Sequence, residues 1–391
     1  MKISQLYIYP IKSLRGVSVP QAILTDAGLE NDRRFMLLKV KQDGNGNKRL
    51  QNMHVPHFTE MCLFLTDVIF PTENTNNGKI LITYRPPDAK DDSDSQIKLL
   101  EVPMNPDVSG LEELCVTIHQ SPTKGYNMGT KYNNWFSECF GYEVVLVYLG
   151  PHWRRVLGSF PPGKCQVHCQ DMVPVISKSS MVILSLLSLL LNIFGVPMMQ
   201  RDASMMALPN LAATITVIGL ATVTNIYLSR GSRRKEEKIT FADTAPYMLV
   251  SETSVEEVSS RLAGDEEMDL TKFRPNIVVT GAKAAYEEDF WAELLVGGGA
   301  RLLMTANCIR CQSVNVDYAT GKMGRGESGS VFKKLMKDRR VDKGAKFSPV
   351  FGRYGFLDQG CKDVPICVGD EVHVSRIVEE RTTYDWPGLT N

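Results

Sequence analysis

Short apolar runs separated by turn residues fill roughly the first 150 positions. Arg34–Val40, Met61–Phe70, Lys79–Tyr84, Gln96–Val102, Leu114–His119 and Glu143–Leu149 have strand length and strand composition. Gly44-Asn45-Gly46-Asn47 and Asn74–Gly78 punctuate them, since glycine and asparagine accept the backbone angles of tight turns. Many short strands of this kind predict a barrel or sandwich rather than a doubly wound sheet. One helix is predicted over Lys131–Phe140, stopped by Gly141.

The middle of the chain has another pattern. Ser179–Gln200 and Ala203–Ser229 carry no charge, and Arg201-Asp202 alone separates them. Each has the length of a spanning helix, roughly 20 apolar residues. Lys178 precedes the pair, and Arg230, Arg233, Arg234 and Lys235 follow it. Basic outer flanks predict a membrane hairpin whose ends both face the cytosol. Asn192, Pro197, Pro209, Asn210 and Asn225 interrupt the stretches, which leaves open a pair folded against the protein itself.

From Ile239 onward the pattern is mixed α/β. Thr253-x-x-Glu256 and Ser254-x-x-Glu257 are overlapping capping boxes for a helix reaching Leu262. Phe273–Val279, Arg301–Ala306 and Glu371–Ile377 are predicted strands, Ser330–Lys337 a basic helix, and Gly297-Gly298-Gly299 a hairpin turn. The expected organisation is a β-barrel-like domain over 1–150, a linker over 151–238 carrying the apolar hairpin 179–229, and a second domain over 239–391.

With 391 residues the chain can bury substantial cores. Its 44 basic and 44 acidic residues cancel, so no global field draws it to nucleic acid, and a bound anion must be held locally. Nine cysteines are an odd number; Met1 runs almost directly into the strand-like Leu6–Tyr9, and no Asn-x-Ser/Thr sequon occurs. The expectation is a reducing compartment with free thiols.

Asn307-Cys308-Ile309-Arg310-Cys311 is the sharpest local motif. A structural zinc site needs four ligands, and the nearest supplement, Cys165-x-x-His168-Cys169, has unusual spacing. A thioredoxin-like couple starts a helix, whereas Gln312–Val316 reads as continuing strand. The third reading is one thiolate on a soft metal, with the other cysteine packed beside it. Gly324-x-Gly326-x-x-Gly329 precedes a helix, but no βαβ unit surrounds it, so a flexible loop is the better reading. Lys12, Arg34 and Arg274 are cations in apolar settings, and together they can neutralise a buried phosphate.

Several motifs in order then carry a resemblance. Tyr9-Pro10-Ile11-Lys12-Ser13-Leu14-Arg15-Gly16 and Asp32-Arg33-Arg34-Phe35 look like the N-terminal β-barrel that accompanies MOSC domains. Phe241–Tyr247, Phe273–Ile277, Cys308-x-x-Cys311, Val316–Gly321 and Ser348–Tyr354 follow in the order of that family. The chain thus resembles the MOSC family, and within it the mitochondrial amidoxime-reducing components, except over about 151–238.

The resemblance implies a β-rich, mixed α/β protein whose barrel-like domain packs on a MOSC β-barrel domain, with the cofactor in the cleft between them. It implies a molybdenum cofactor with Cys311 as the thiolate ligand and catalytic centre, and Cys308 as a neighbour. Lys12, Ser13, Arg34, Arg274 and Asn276 would hold the phosphate and pterin, with Thr244, Arg310 and Tyr354 lining the same pocket. A pyridoxal phosphate binding-like description travels with the family. The implied activity is two-electron reduction of N-oxygenated compounds such as amidoximes and hydroxylamines. Electrons would come from a cytochrome b-type haem protein and its flavin reductase, at a mitochondrial outer membrane or endoplasmic reticulum surface. Two other functions fit the same residues: a non-catalytic molybdenum-cofactor or sulfur carrier at a membrane surface, and a thiol oxidoreductase using both cysteines. One departure is Ala245, where those relatives carry a hydroxyl residue.

Overall fold

A computed structural model describes residues 1–44, 46–71, 77–89, 96–159, 161–162 and 236–389. The first half opens with β1 (Lys2–Ile8), β2 (Val17–Val19) and β3 (Gln21–Thr25). Then come β4 (Phe35–Gln42), β5 (Lys48–Asn52), β6 (Phe64–Ile69), β7 (Lys79–Tyr84) and β8 (Lys98–Pro103). β9 (Glu113–Ile118), β10 (Ser121–Asn127), α1 (Thr130–Phe140) and β11 (Val144–Tyr148) complete it.

Two sheets, β9-β10-β11-β4-β5 and β6-β7-β8, close most of the way around one core. Phe35, Leu37, Phe64, Ile82, Val102 and Leu146 fill it, joined by Phe136 from α1. This is the predicted barrel, nearly closed, because alternate residues of each strand turn apolar side chains inward. α1 ends at Gly141, whose φ of 74° lets its N–H reach the Ser137 carbonyl.

The second half contains β12 (Tyr247–Ser251), α2 (Glu252–Ser260), β13 (Ile277–Thr280), β14 (Trp291–Val296) and β15 (Ala300–Ile309). α3 (Val331–Leu335), β16 (Val350–Leu357), β17 (Val364–Cys367) and β18 (Val372–Ile377) follow. One eight-stranded sheet runs β2-β1-β13-β12-β16-β15-β14-β18. Its first two strands come from the other half: β1 pairs antiparallel with β13, Leu6 opposite Ile277. In return β17 pairs with β3, Val364 opposite Leu24. Met1–Val167 and Glu236–Asn391 group as one compact unit, joined by these shared sheets.

Several predicted elements change. The strand expected over Phe273–Val279 starts late, because Arg274 ends a 3-10 turn (Leu270–Phe273) at φ 58° and Pro275 has no N–H to donate. Gln312–Asn315 is a 3-10 turn rather than strand, followed by a two-residue bridge at Val316–Asp317. The basic helix shrinks to α3. The cap of α2 is Ser251, whose side chain accepts from the Ser254 N–H. Gly324 and Gly329 allow close backbone contact, since a Cβ on Gly329 would stand 2.1 Å from the Gly324 carbonyl oxygen, and no cradle forms.

The hairpin 179–229 and the Cys165-x-x-His168-Cys169 group lie outside the described residues. Among those described, no helix is long and apolar enough to cross a membrane.

Candidate functional site

The motifs singled out in the sequence converge because backbone hydrogen bonds lay them side by side. The Arg33 N–H donates to the Tyr9 carbonyl at 2.8 Å, the Phe35 N–H to Pro10 at 3.1 Å and the Lys12 N–H to Phe35 at 2.8 Å. The Phe241 N–H donates to the Arg33 carbonyl at 3.0 Å, the Tyr7 N–H to the Asn276 carbonyl at 2.9 Å, and the Asn276 N–H to the Met248 carbonyl at 2.8 Å. Finally the Arg310 N–H reaches the Pro349 carbonyl at 2.8 Å.

The result is a cleft lined by Lys12, Ser13, Arg33, Asp243, Arg274 and Asn276 at one part and Cys308, Arg310, Cys311, Ser313 and Tyr354 at another. Ser13, Arg33 and Arg274 hold φ of 71°, 51° and 58°. Three non-glycine residues of this one cleft thus sit in a sparsely populated backbone region.

Cations outnumber acids here. Lys12 is 6% exposed and pairs with Asp243, whose carboxylate also meets His119 Nε2 at 3.4 Å. Burial pulls the Lys12 ammonium below the ordinary lysine value, and Asp243 opposes that pull. Arg33 pairs with buried Asp32 and donates to Asn276 Oδ1 at 3.2 Å. Asp32 in turn accepts the Tyr9 N–H at 2.8 Å. Arg274 donates to the Leu14 carbonyl at 2.7 Å and has no carboxylate partner among the described residues; its Nη2 is buried with no partner. Arg154, fully buried, donates to the carbonyls of Ile118, Ser121 and Ala242 and so ties the Asp243 loop to the β9–β10 hairpin. Burial brings its guanidinium down to about 10.

The two cysteines differ. Cys308 is buried at the end of β15 and its Sγ accepts from Arg310 Nη1 at 2.9 Å. Arg310 Nη2 donates to the Phe273 carbonyl at 2.9 Å, and its Nε is buried with no partner. Burial, with the Cys308 thiol beside it, holds the Tyr354 hydroxyl well above the usual phenol range. Cys311 is exposed, its Sγ 3.1 Å from Ser313 Oγ. Both thiols are free.

Of the residues implied by resemblance, Lys12, Ser13, Arg274, Asn276, Arg310, Cys311 and Tyr354 line the cleft. Asn276 has its amide engaged with Arg33, the Met248 N–H and the Tyr7 carbonyl, so it braces Arg33. Thr244 is buried beside Tyr384 without lining the cleft. Arg34 points elsewhere: it donates to the Gly150 carbonyl and lies 5.7 Å from the Tyr148 ring centroid. Arg33, held at φ 51° in the turn before β4, lines the cleft in its place. Asp243 and Ser313 were not anticipated; both sit within or beside the recognised motifs.

The donor set suits a soft metal on a thiolate and a phosphate among cations. The buried nitrogens of Arg274 and Arg310 that have no partner among the described residues add further donors.

The MOSC N-terminal beta barrel domain matches residues 1–143, and the MOSC domain matches residues 236–373. The human mitochondrial amidoxime-reducing component 1 is 37% identical over 142 residues, covering 36% of this chain and 40% of that protein. The bovine mitochondrial amidoxime reducing component 2 is 35% identical over similar shares, 36% and 40%. These matches thus span well under half of the relatives' length. The rat mitochondrial amidoxime reducing component 2 matches at 25% identity over 95% of this chain and 82% of its own length. Among solved structures, the YUAD protein of Bacillus subtilis is 14% identical over 37% of this chain and 70% of that chain, with a TM-score of 0.25. Matched over residues 1–143 by the MOSC N-terminal beta barrel domain and over residues 236–373 by the MOSC domain, the chain belongs to the MOSC proteins that join these two domains.

Proposed function

We propose that the cleft binds a molybdenum cofactor and that the chain is a molybdenum-dependent reductase of N-oxygenated compounds. The observation that carries this reading is the pairing, in one cleft, of an exposed thiol at Cys311 with an under-neutralised group of cations at Lys12, Arg33 and Arg274. The relatives are named amidoxime-reducing components, which supports the substrate class without fixing it.

Lys12, Ser13, Arg33 and Arg274 would hold the phosphate, and their own buried charge makes a dianion a favoured occupant. Cys311 would offer its sulfur to the metal, with Ser313 holding the thiol in place. Arg310 is itself anchored on Cys308 and Phe273, and its side chain gives the wall beside Cys311 a fixed positive charge. When bound, the cofactor supplies the two-electron redox chemistry, and the protein positions and desolvates the reactants. Removing oxygen from an amidoxime takes two electrons and two protons and releases water. The electrons would come from a cytochrome b-type haem protein and its flavin reductase.

The test is elemental analysis of the purified full-length protein, followed by turnover of benzamidoxime with reduced haem and flavin partners. About one molybdenum per chain with amidine formation is the expected result. Protein without molybdenum from a cofactor-competent host would refute the reading.

A further inference from the structure

Tyr9 is fully buried and does not line the cleft, and its hydroxyl has no hydrogen-bond partner among the described residues. Its ring has two cationic neighbours. The Arg33 Cζ lies 4.6 Å from the ring centroid and the Arg274 Cζ 4.4 Å from it. Two guanidinium groups gathered at one ring repel each other, and among the described residues only Arg33 has a carboxylate, Asp32, against it. The negative face of an aromatic ring offsets part of that repulsion, most of all where water is excluded. Gly16 sets the ring's place, because a Cβ there would stand 2.4 Å from Tyr9 Cε1.

We infer that Tyr9 is the positioning residue for the anion-binding part of the cleft. Its aromatic ring, rather than its hydroxyl, keeps Arg33 and Arg274 together where a phosphate-bearing ligand needs both. The identity of that ligand rests on the cofactor reading above; the role of the ring rests on this geometry. A tyrosine that merely fills the core would support the cleft through packing alone, and the cost of the smaller leucine would then be the same with or without Arg274.

The experiment compares full-length wild type with Tyr9→Phe, Tyr9→Leu, Arg274→Ala and the double variant Tyr9→Leu/Arg274→Ala. Molybdenum content and melting temperature are measured on protein from a host that makes the cofactor. Affinity for inorganic phosphate is measured by calorimetry on protein from a host that does not. Tyr9→Phe should match wild type in molybdenum and phosphate affinity and melt no lower, since no hydrogen bond is lost. Tyr9→Leu should lose about tenfold in both binding readouts, the scale of one desolvated cation–π contact. In the Arg274→Ala background the same change should cost less than about threefold, because residues acting through one another are not additive.

Equal loss in Tyr9→Phe and Tyr9→Leu overturns the inference, and so does a Tyr9→Leu protein with wild-type phosphate affinity. An undiminished loss in the double variant, or no phosphate binding by wild type, overturns it as well. Wild type that binds phosphate yet never carries molybdenum refutes the cofactor reading instead, and the phosphate series still decides the role of Tyr9. If Tyr9→Leu fails to fold, Gly16→Ala takes its place, since the added methyl displaces the ring without removing it.

Discussion

Cys308 and Cys311 are three positions apart, yet one is buried against Arg310 and the other exposed beside Ser313. Cys311→Ser is therefore expected to remove reductase activity, by at least about a hundredfold, because a serine oxygen is a poor ligand for a soft metal. Cys308→Ser should keep more than about half, since a hydroxyl can still accept from Arg310. Equal losses, with a disulfide found in wild type, would favour a thiol couple. Arg274 gives a second comparison: Arg274→Ala should lower molybdenum content further than Arg274→Lys. It removes a charge-assisted contact worth about 1.5–3 kcal/mol, whereas lysine keeps the charge. Unchanged content in Arg274→Ala would take the residue out of the site. Away from the cleft, Glu288 is buried with Oε1 unpartnered, and burial pushes its carboxyl up to about 6. The folded-state value lies above the unfolded one, so ionisation costs stability. The cost is absent below about pH 4.5, grows up to about pH 6 and is complete above it. Glu288→Gln should therefore stabilise the protein by on the order of 1–2 kcal/mol near pH 7.5 and by nothing near pH 4. Denaturant titrations at both pH values decide this, and an equal effect at each would show that ionisation is not the cause.

At the scale of elements, Ser251 links α2 to that same carboxylate. Its Oγ accepts the Ser254 N–H at 3.2 Å and donates to Glu288 Oε2 at 3.1 Å. Ser251→Ala should cost about 1–2 kcal/mol, the usual loss of a helix cap, measured by thermal or chemical unfolding. A loss below about 0.3 kcal/mol would mean that Thr253 or Ser254 caps in its place. The sequence pointed to those two later residues because their Glu partners complete a familiar spacing, and it had no view of the buried Glu288. Elements with strong local signals were legible. β7 matches its predicted bounds, and α1 ends at its predicted glycine. β10 was not legible: Pro122 and Gly125 argue against a strand. Its hairpin turns on His119 and Gln120 at φ 49° and 64°, where glycine or asparagine is usual. Gly125 is in fact needed, since a Cβ would stand 2.6 Å from the Val147 side chain. The motifs placed most of the cleft, but adjacent arginines differ only in which side they face. That distinction belongs to the backbone around Arg33, bonded to Tyr9 and Phe241, and no local pattern carries it.

At the scale of the whole molecule, the described residues on either side of 163–235 come together. Arg154 pairs with Ile239 and Arg155 with Lys238 in a short antiparallel ribbon. An Arg155–Glu236 ion pair and a 3.4 Å bond from the Val156 N–H to the Glu237 carbonyl extend it. The two described ends thus lie beside each other, close enough for a short connection to join them. Every cleft residue lies on the unit made of Met1–Val167 and Glu236–Asn391. Closing the ends with a shorter loop costs less entropy than closing them with a longer one. Replacing residues 168–235 with a Gly/Ser linker of about ten residues should therefore leave folding, melting temperature and molybdenum content close to those of the full chain. The charge-free stretches 179–200 and 203–229 and their basic flanks lead to one further expectation. The full chain should stay with membranes through carbonate washing, while the shortened chain is recovered in the supernatant. Fractionation of both forms, with metal analysis of each, separates the outcomes. A shortened chain that aggregates or loses its metal would make the insertion part of the core. A full chain released by carbonate would end the attachment reading while leaving the cleft untouched.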